Sequence, residues 1–480
     1  MATVLEQSNT NTLELIPQAF EAQKDYFTTR GPSSFSERIQ TLKKLESWIV
    51  NHKEQIREAL FSDFKKPHLE TDITEILPVL QEVKHVKKSL RKWMRPSRVP
   101  TPITMLGSKA EVIYEPKGVT LIIAPWNYPF QLLVGPLISA LAAGNTAVLK
   151  PSEMTPATAR LISNMAREVF DPQEVVVFEG AVEVSEALLA LPFDHIFFTG
   201  SPAVGKIVMR AAAEHLTSVT LELGGKSPVV LDETTLVKDA AEKLMWGKYL
   251  NNGQTCIAPD YALVPEKMVE PLVTAMQDSL KKHLDPEGEG IKNTGNYARI
   301  VNDRHYQRLT GALQEAVAAG AKVVVGGETD DQENYLSPTV VVDAPEDISL
   351  LNDEIFGPIL PIRTYKEIDD AIDYINKKPK PLALYYFGKE NQRKRRLLSR
   401  TSSGGVVSND VILHFAHAEL PFGGVNNSGI GKAHGKWGFM AFSNEKGTLH
   451  QNRNFSMAKM TYPPYSNRLR KMMDTMMKYL

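Results

Sequence analysis

Between residues 119 and 223, short β-rich apolar runs alternate with helical stretches, and this rhythm restricts the fold more than any other feature of the chain. The runs are 119–124, 146–149, 175–178, 195–199 and 219–223, and helical periodicity occupies 131–143, 155–169, 183–190 and 203–215. Parallel neighbours need a crossover between them, and helices of this length provide it. The pattern therefore predicts an α/β fold whose parallel sheet is covered on both faces. After Cys256 the alternation resumes, with strands expected near 322–325, 338–342 and 382–387, enough for a second α/β domain. A chain of 480 residues exceeds one ordinary core, which agrees with two or three domains.

Ahead of this block, 33–62 and 69–95 carry apolar residues at three- and four-residue spacing and read as helices. The basic cluster Lys84, Lys87, Lys88, Arg91, Lys92 and Arg95 reads as a solvated helix face, as does Arg393 to Arg396. Residues 95–102 (RPSRVPTP) cannot continue a helix, because proline lacks the N–H and restricts its predecessor. A net charge of −1 creates no field toward nucleic acid or an anionic surface. A single cysteine forms no intramolecular disulfide and fits a reducing compartment. The opening MATVLEQSNTNTLELI lacks the basic start and apolar run of a signal peptide. No stretch approaches the roughly 18 apolar residues of a membrane span. The expectation is a cytoplasmic protein without a transmembrane segment or nucleic-acid partner.

Two places suit an anionic ligand. In FFTGSPAVGKIVM (197–209), Gly200 permits a sharp strand-to-helix turn, and the N–H groups that follow suit a pyrophosphate. The spacing is G-x-x-x-x-G rather than G-x-G-x-x-G, so an ordinary connection explains it equally well. In VLKPSEMTP (148–156), Lys150 and Glu153 stand at a strand's C-terminal edge, where α/β sheets bind ligands. Alternatively, Ser152 caps the following helix and Lys150 is solvated.

The chemistry concentrates in LELGGKSP (221–228) and NNGQTCIAPDY (251–261). A lone cysteine is often a small buried hydrophobe, but Asn251 to Thr255 form a polar segment unlike a core strand. With PWNYP (125–129), KPSE (150–153), FTGS (198–201) and EIFGP (354–358), these segments resemble the ordered motif series of the aldehyde dehydrogenase superfamily, over about residues 20–445. TSSGGV (401–406), PFGGVNNSGIGKAHGKWGF (421–439) and the short N-terminus are most similar to the class 3, fatty-aldehyde-dehydrogenase-like branch. Asn426 stands where that branch has a glycine.

The resemblance implies a modified Rossmann NAD(P)-binding domain (1–94 and 112–221) and a catalytic α/β domain (222–407). It also implies a β-hairpin bridging element (95–111 and 408–445) and leaves a tail (446–480). It implies Cys256 as nucleophile, Glu222 as general base, and Asn127 with the Cys256 backbone N–H as oxyanion donors. Glu222 lies about twenty residues past Gly200, where a standard dinucleotide fold puts its ribose-binding acid; the motif gives it base work instead. From local sequence alone, Glu222 could equally pair with Lys226. For NAD or NADP, the resemblance assigns Lys150 and Glu153 to the adenosine ribose. It assigns Gly200, Ser201, Pro202, Ala203, Val204 and Gly205 to the pyrophosphate, and Glu354 and Phe356 to the nicotinamide ribose and ring. It implies an aldehyde substrate, medium- to long-chain aliphatic or aromatic, no metal, and a homodimer.

Other reaction classes fit less well. A thiol hydrolase needs a histidine paired with Cys256, and the papain and caspase signatures are missing. No G-x-S-x-G elbow supports a serine hydrolase. His414 and His417 have H-x-x-H spacing without the H-E-x-x-H of a zinc site. In the tail, Leu469, Met472, Met473, Met476, Met477 and Leu480 recur at helical spacing. That helix is expected to pack on the protein's own surface; a dimer contact, the mouth of a substrate tunnel or a membrane face are the other uses.

Overall fold

A computed structural model describes residues 9–479; residues 1–8 and Leu480 lie outside the described residues. Helices α1 (Asn9–Arg30), α2 (Phe35–Asn51), α3 (Lys53–Phe64), α4 (His68–Thr71) and α5 (Leu77–Trp93) come first, with a π-helical turn at Asp72–Ile76. The helical pattern over 33–62 is thus two helices that meet at His52, and α1 has no counterpart in the expected elements. Strands β1 (Ser97–Val99) and β2 (Ser108–Pro116) follow.

The alternating block forms as expected. Strands β3 (Val119–Ile123), β4 (Thr146–Lys150), β5 (Val175–Val177), β6 (His195–Gly200) and β7 (Ser218–Leu223) alternate with α6 (Gln131–Ala143), α7 (Pro156–Val169), α8 (Val182–Leu189) and α9 (Pro202–His215). The second block holds β8 (Pro228–Leu231), β9 (Tyr261–Pro265), β10 (Lys322–Val325), the small hairpin β11 (Thr329–Asp330) and β12 (Tyr335–Leu336), and β13 (Thr339–Val342). It continues with β14 (Ile359–Tyr365), β15 (Ala383–Phe387) and β16 (Gly405–Ser408). Its helices include α10 (Val237–Tyr249), α11 (Val269–Leu284) and α12 (Asp303–Ala318). Strands β17 (Gly429–Ile430) and β18 (Ser443–Gln451) close the series.

The first sheet has the order β17-β7-β6-β3-β4-β5, parallel except for β17. Every residue of β3 and β4 is buried, as in strands covered on both faces. One face packs on α2, α3, α5, α6 and α7, the other on α1, α8 and α9. Helix α6 is apolar all round and almost wholly buried, which a helix between two layers requires. The second sheet has the order β10-β13-β14-β9-β8-β15-β16, parallel except for β10. Strands β1, β2 and β18 form a separate antiparallel sheet. The sequence boundaries at 111 and 445 fall inside β2 and β18, which pair from Pro116–Ser443 to Ser108–Gln451.

Two expectations are corrected. The helix after β4 starts at Pro156, and Ser152 instead accepts from the Met154 N–H. Its first amides are capped from α3: Asp63 accepts from Ala157 N–H, Thr158 N–H (2.9 Å each) and the Thr158 hydroxyl (2.7 Å). The tail forms a helix at Asn467–Tyr479, but none of its side chains is buried. Pro463 and Pro464 cannot continue the preceding 3-10 turn and separate the helix from it. Because Asp63 ties the helical layer to α7, Asp63→Ala should cost about 1–2 kcal/mol, seen as a lower urea midpoint, with Asp63→Asn between the two.

Candidate active site

Strand β3 lies between β4 and β6, so the connections leaving these strands diverge and open a crevice at their C-terminal edge. Trp126 and Asn127 follow β3, Thr199 and Gly200 end β6, and Glu222 lies near the end of β7. Opposite them stand residues that precede strands of the second sheet: Cys256 ahead of β9, and Glu354 and Phe356 ahead of β14. All of these line one cavity of about 410 Å³, with Ser201, His305, Arg308 and Leu309. Lys150, Glu153 and Pro202 to Gly205 lie outside its lining, further along the same edge.

The turn carrying Cys256 is held by side chains. Asn251 (φ 53°), Asn252 (φ 57°) and Gly253 (φ 72°) are consecutive left-handed residues, a conformation that asparagine tolerates better than most. A Cβ on residue 253 would stand 2.3 Å from the Gly357 carbonyl oxygen. The Asn251 amide donates to the Asn127 carbonyl (2.8 Å), Asn252 to Ala298 O (2.9 Å), and Gln254 to Asn251 O and Arg299 O (3.0 Å each). The Asn127 amide donates to Gln254 O at 2.9 Å, which uses one of its two N–H bonds.

Below this turn, Glu70 accepts from Asn251 N–H (2.8 Å), and the Tyr128 hydroxyl meets Thr255 Oγ1 at 2.6 Å. Lys66 Nζ lies 4.1 Å from the Tyr128 ring centroid and pairs with Glu75 at 2.8 Å, both side chains fully buried. Glu75 also accepts from Gln131 N–H, at the start of α6 (2.8 Å).

Glu222 is buried, and its Oε1 has no hydrogen-bond partner. Burial lifts its pKa to about 8, opposed by the Lys432 ammonium. Glu354 is also lifted to about 8, by burial and then by Asp260, against a hydrogen bond from Gly225 N–H. Glycine at 224 lets the Glu354 carboxylate lie against the backbone; a Cβ there would come within 2.3 Å of it and displace it. Burial, then Glu354 and Glu222, push the Cys256 thiol well up, while the N–H groups of Cys256 and Ile257 pull it down. A thiol so placed needs a base to take its proton.

Lys226 does not pair with Glu222. It binds Asp260 (2.6 Å) and the carbonyls of Leu350 and Asp353 (2.9 Å each), and Asp260 accepts from Ile355 N–H (3.0 Å). This knot clamps the Glu354 segment against the approach to β9. Phe356 (φ 47°) packs edge-on against Trp126 at 5.3 Å.

Several features fit a dinucleotide. Thr199 Oγ1 is buried on the cavity wall without a partner. Ser201 caps α9 by accepting from Val204 N–H, and Pro202 starts the helix, so its first amides face outward. A Cβ on residue 205 would reach within 2.7 Å of Leu223, so glycine lets α9 lie close to β7. Lys150 is buried rather than solvated and binds the exposed Glu153 at 2.8 Å. Asn426 adopts φ 55° and accepts from Lys380 Nζ (2.9 Å), taking the left-handed turn without glycine.

Sequence reading missed Trp126, Thr199, His305 and Arg308. The first two sit inside the quoted motifs PWNYP and FTGS. His305 and Arg308 share a face of α12 at three-residue spacing, a pattern found on any amphipathic helix. His305 packs on Trp126 at 4.9 Å, and among the described residues no histidine hydrogen-bonds Cys256.

The sequence model described as "Aldehyde dehydrogenase family" matches residues 2–448. The chain belongs to the aldehyde dehydrogenase family. This aldehyde dehydrogenase is 43% identical over 458 residues to a 4,4'-diaponeurosporen-aldehyde dehydrogenase of Staphylococcus aureus, covering 95% of this chain and 98% of the relative. It is 41% identical to an aldehyde dehydrogenase family 3 member A2 of Macaca fascicularis, covering 89% and 87%. A solved structure titled as the substrate-bound state of Staphylococcus aureus AldH superposes with a TM-score of 0.92 at 42% identity, covering 96% and 99%. The enzyme is an oxidoreductase of an NAD(P)-dependent family, with relatives in family 3, and no helix among the described residues is long and apolar enough to cross a membrane. Lys226→Met should cost about 3–5 kcal/mol by leaving Asp260 buried and unpaired, and should lower activity by loosening the Glu354 segment of the cavity wall. Thermal unfolding and steady-state kinetics measure the two effects.

Proposed function

We propose that the enzyme oxidises an aldehyde to the carboxylic acid through covalent intermediates on Cys256. The observation that carries this reading is the unpaired, buried Glu222 carboxyl on the same cavity as Cys256 and Asn127. A planar carbonyl carbon becomes tetrahedral before hydride leaves, so a nucleophile acts first. The Cys256 sulfur adds to that carbon as its proton passes to Glu222, and the carbonyl oxygen becomes an oxyanion. The free Asn127 N–H and the Cys256 backbone N–H stabilise it, each worth a few kcal/mol. NAD or NADP supplies the acceptor for the hydride that leaves the resulting thiohemiacetal. After releasing the thiol's proton to solvent, Glu222 removes a proton from the water that adds to the thioester and passes it to the departing sulfur as the carbon–sulfur bond breaks, giving the acid and the thiol.

Lys150 and Glu153 would hold the adenosine ribose, residues 200–205 the pyrophosphate, Glu354 the nicotinamide ribose and Phe356 the ring. The apolar walls given by Trp126, Leu132, Leu309 and Ile355 support a medium- to long-chain aliphatic or aromatic aldehyde. So do the names of two relatives, the "4,4'-diaponeurosporen-aldehyde dehydrogenase" of Staphylococcus aureus and a "Probable coniferyl aldehyde dehydrogenase" of Pseudomonas aeruginosa. The reading includes two α/β domains and a homodimer bridged by the antiparallel sheet, in which β18 leaves a free edge.

Cys256→Ala should abolish aldehyde-dependent cofactor reduction; retained activity would overturn the mechanism. Glu222→Gln should lower kcat by about 10²–10⁴. A neutral carboxylic acid cannot accept a proton, so kcat limited by hydrolysis should rise as pH climbs through about 8, and the glutamine variant should lose that limb. Glu153 should disfavour a 2′-phosphate. Glu153→Gln, which leaves Lys150 without its counter-charge, should raise NADP efficiency relative to NAD by about tenfold, or ~1.4 kcal/mol, in an aldehyde panel run with both cofactors.

A further inference from the structure

The segment that covers the Glu222 strand carries a cation of its own. Residues 422–433 double back as a hairpin: Phe422 and Ala433 exchange backbone hydrogen bonds at its base, and Asn426 bridges to Gly429 at its tip. The Ser428 hydroxyl accepts from Val425 N–H (2.9 Å) and donates to Val425 O (3.1 Å), which closes the tip. The returning strand, β17, lies on β7 with Gly429 opposite Glu222, and Leu223 N–H donates to Ser428 O at 3.0 Å. The hairpin thus borders the backbone that presents the buried carboxyl.

Lys432 fastens this hairpin from within. Its Nζ donates to Gly423 O (2.6 Å) and Gly424 O (3.2 Å). The lysine stem lies against residue 423, where a Cβ would stand 3.1 Å from its Cδ. Residue 424 in turn lies so close to Ser428 O and Gly429 N that a Cβ there would overlap both. The ammonium therefore sits on the stretch of backbone that touches β17. Two of its three N–H bonds end on carbonyls and none on a carboxylate, so no ion pair cancels its charge. Lys432 and Glu222 act on each other instead: each favours the charged form of the other, and burial opposes both. The remaining groups around them do not replace this cation. Cys256 and Glu354 line the same cavity as Glu222, and Thr199, its partner on β6, carries no charge. Lys380 is engaged with Asn426 at the hairpin tip, and burial keeps His434 neutral.

We propose that Lys432 is a positioning residue for the Glu222 carboxyl: its ammonium holds the hairpin 422–433 on β7 and sets the pH at which Glu222 can take up a proton. The inference rests on Glu222 as the proton acceptor of the reaction above. Burial alone would leave that carboxyl neutral, and a neutral carboxyl accepts no proton from thiol or water; a fixed cation favours its charged form. Two readouts on the full-length enzyme test this: the pH profile of kcat, and the titration of the Glu222 carboxylic-acid C=O infrared band, identified as the band that Glu222→Gln removes. Lys432→Gln should move both midpoints up by about one pH unit, lowering kcat about tenfold at about pH 7 and little on the alkaline plateau. Lys432→Arg, which keeps the charge and the donors, should restore both midpoints. Lys432→Met, which keeps the apolar stem without the charge, takes the place of the glutamine variant if thermal unfolding shows that one to be unstable. A loss of kcat equal at every pH, with both midpoints unmoved, would make Lys432 a prop of the hairpin and overturn the proposal. So would an arginine variant that behaves like the glutamine one. The band separates this proposal from the mechanism beneath it. If Lys432→Gln moves the band while Glu222→Gln keeps the pH limb, Lys432 acts on Glu222 as proposed and Glu222 is not the base. If Glu222→Gln loses the limb and Lys432→Gln moves neither midpoint, the base stands and the proposal falls.

Discussion

Everything at the cavity depends on a turn with no ladder to support it. Three consecutive left-handed residues at 251–253 reverse the chain ahead of Cys256, a shape that unbranched asparagines and a glycine can hold at tolerable strain. Buried carbonyls and amides in such a turn need partners, and here they come from distant segments: Asn127, Ala298, Arg299, Val301 and Glu70. The thiol is therefore placed by residues of both sheets at once. Neither half of the chain alone would fix it.

Two buried ion pairs brace this arrangement from opposite sides. Lys66–Glu75 supports Tyr128 and the start of α6, and Lys226–Asp260 ties the Glu354 segment to the approach to β9. Pairs of this kind add little net stability, because desolvation offsets most of their attraction. Their value here is geometric: each charge is satisfied in one arrangement, and the backbone groups they bind are those beside the cavity. The Glu222 carboxyl is the contrast. Its buried oxygen without a partner costs stability, and the same burial leaves the group able to exchange a proton near neutral pH.

What could be read from the sequence was local. Strand–helix rhythm located all five parallel strands of the first sheet, because buried strands such as 119–123 are continuous apolar runs. Cys256, Glu222, Asn127, Glu354 and Phe356 were legible because each lies in a short motif, and the chain brings them to one cavity. Helix α1 was not legible, since its apolar residues are diluted by polar ones and Pro17 interrupts it. Nor were the supports: Lys66 finds Glu75 and Tyr128 through tertiary packing, and nothing in a solvent-like Lys or Glu marks it for burial. The Asp63 cap escaped notice for a related reason, because a cap borrowed from another helix leaves no trace beside the helix it serves.

Strand β7, which carries Glu222, has its outer edge covered by residues 429–430, and β2 pairs along its whole length with residues 443–451. Both partners lie far downstream of the strands they cover. A growing polypeptide can assemble the five parallel strands of the first sheet early, yet it keeps two unpaired edges until residues 429–451 have emerged. The order of manufacture thus leaves the strand that carries Glu222 open until then, and a chain ended before residue 429 would carry that open edge permanently.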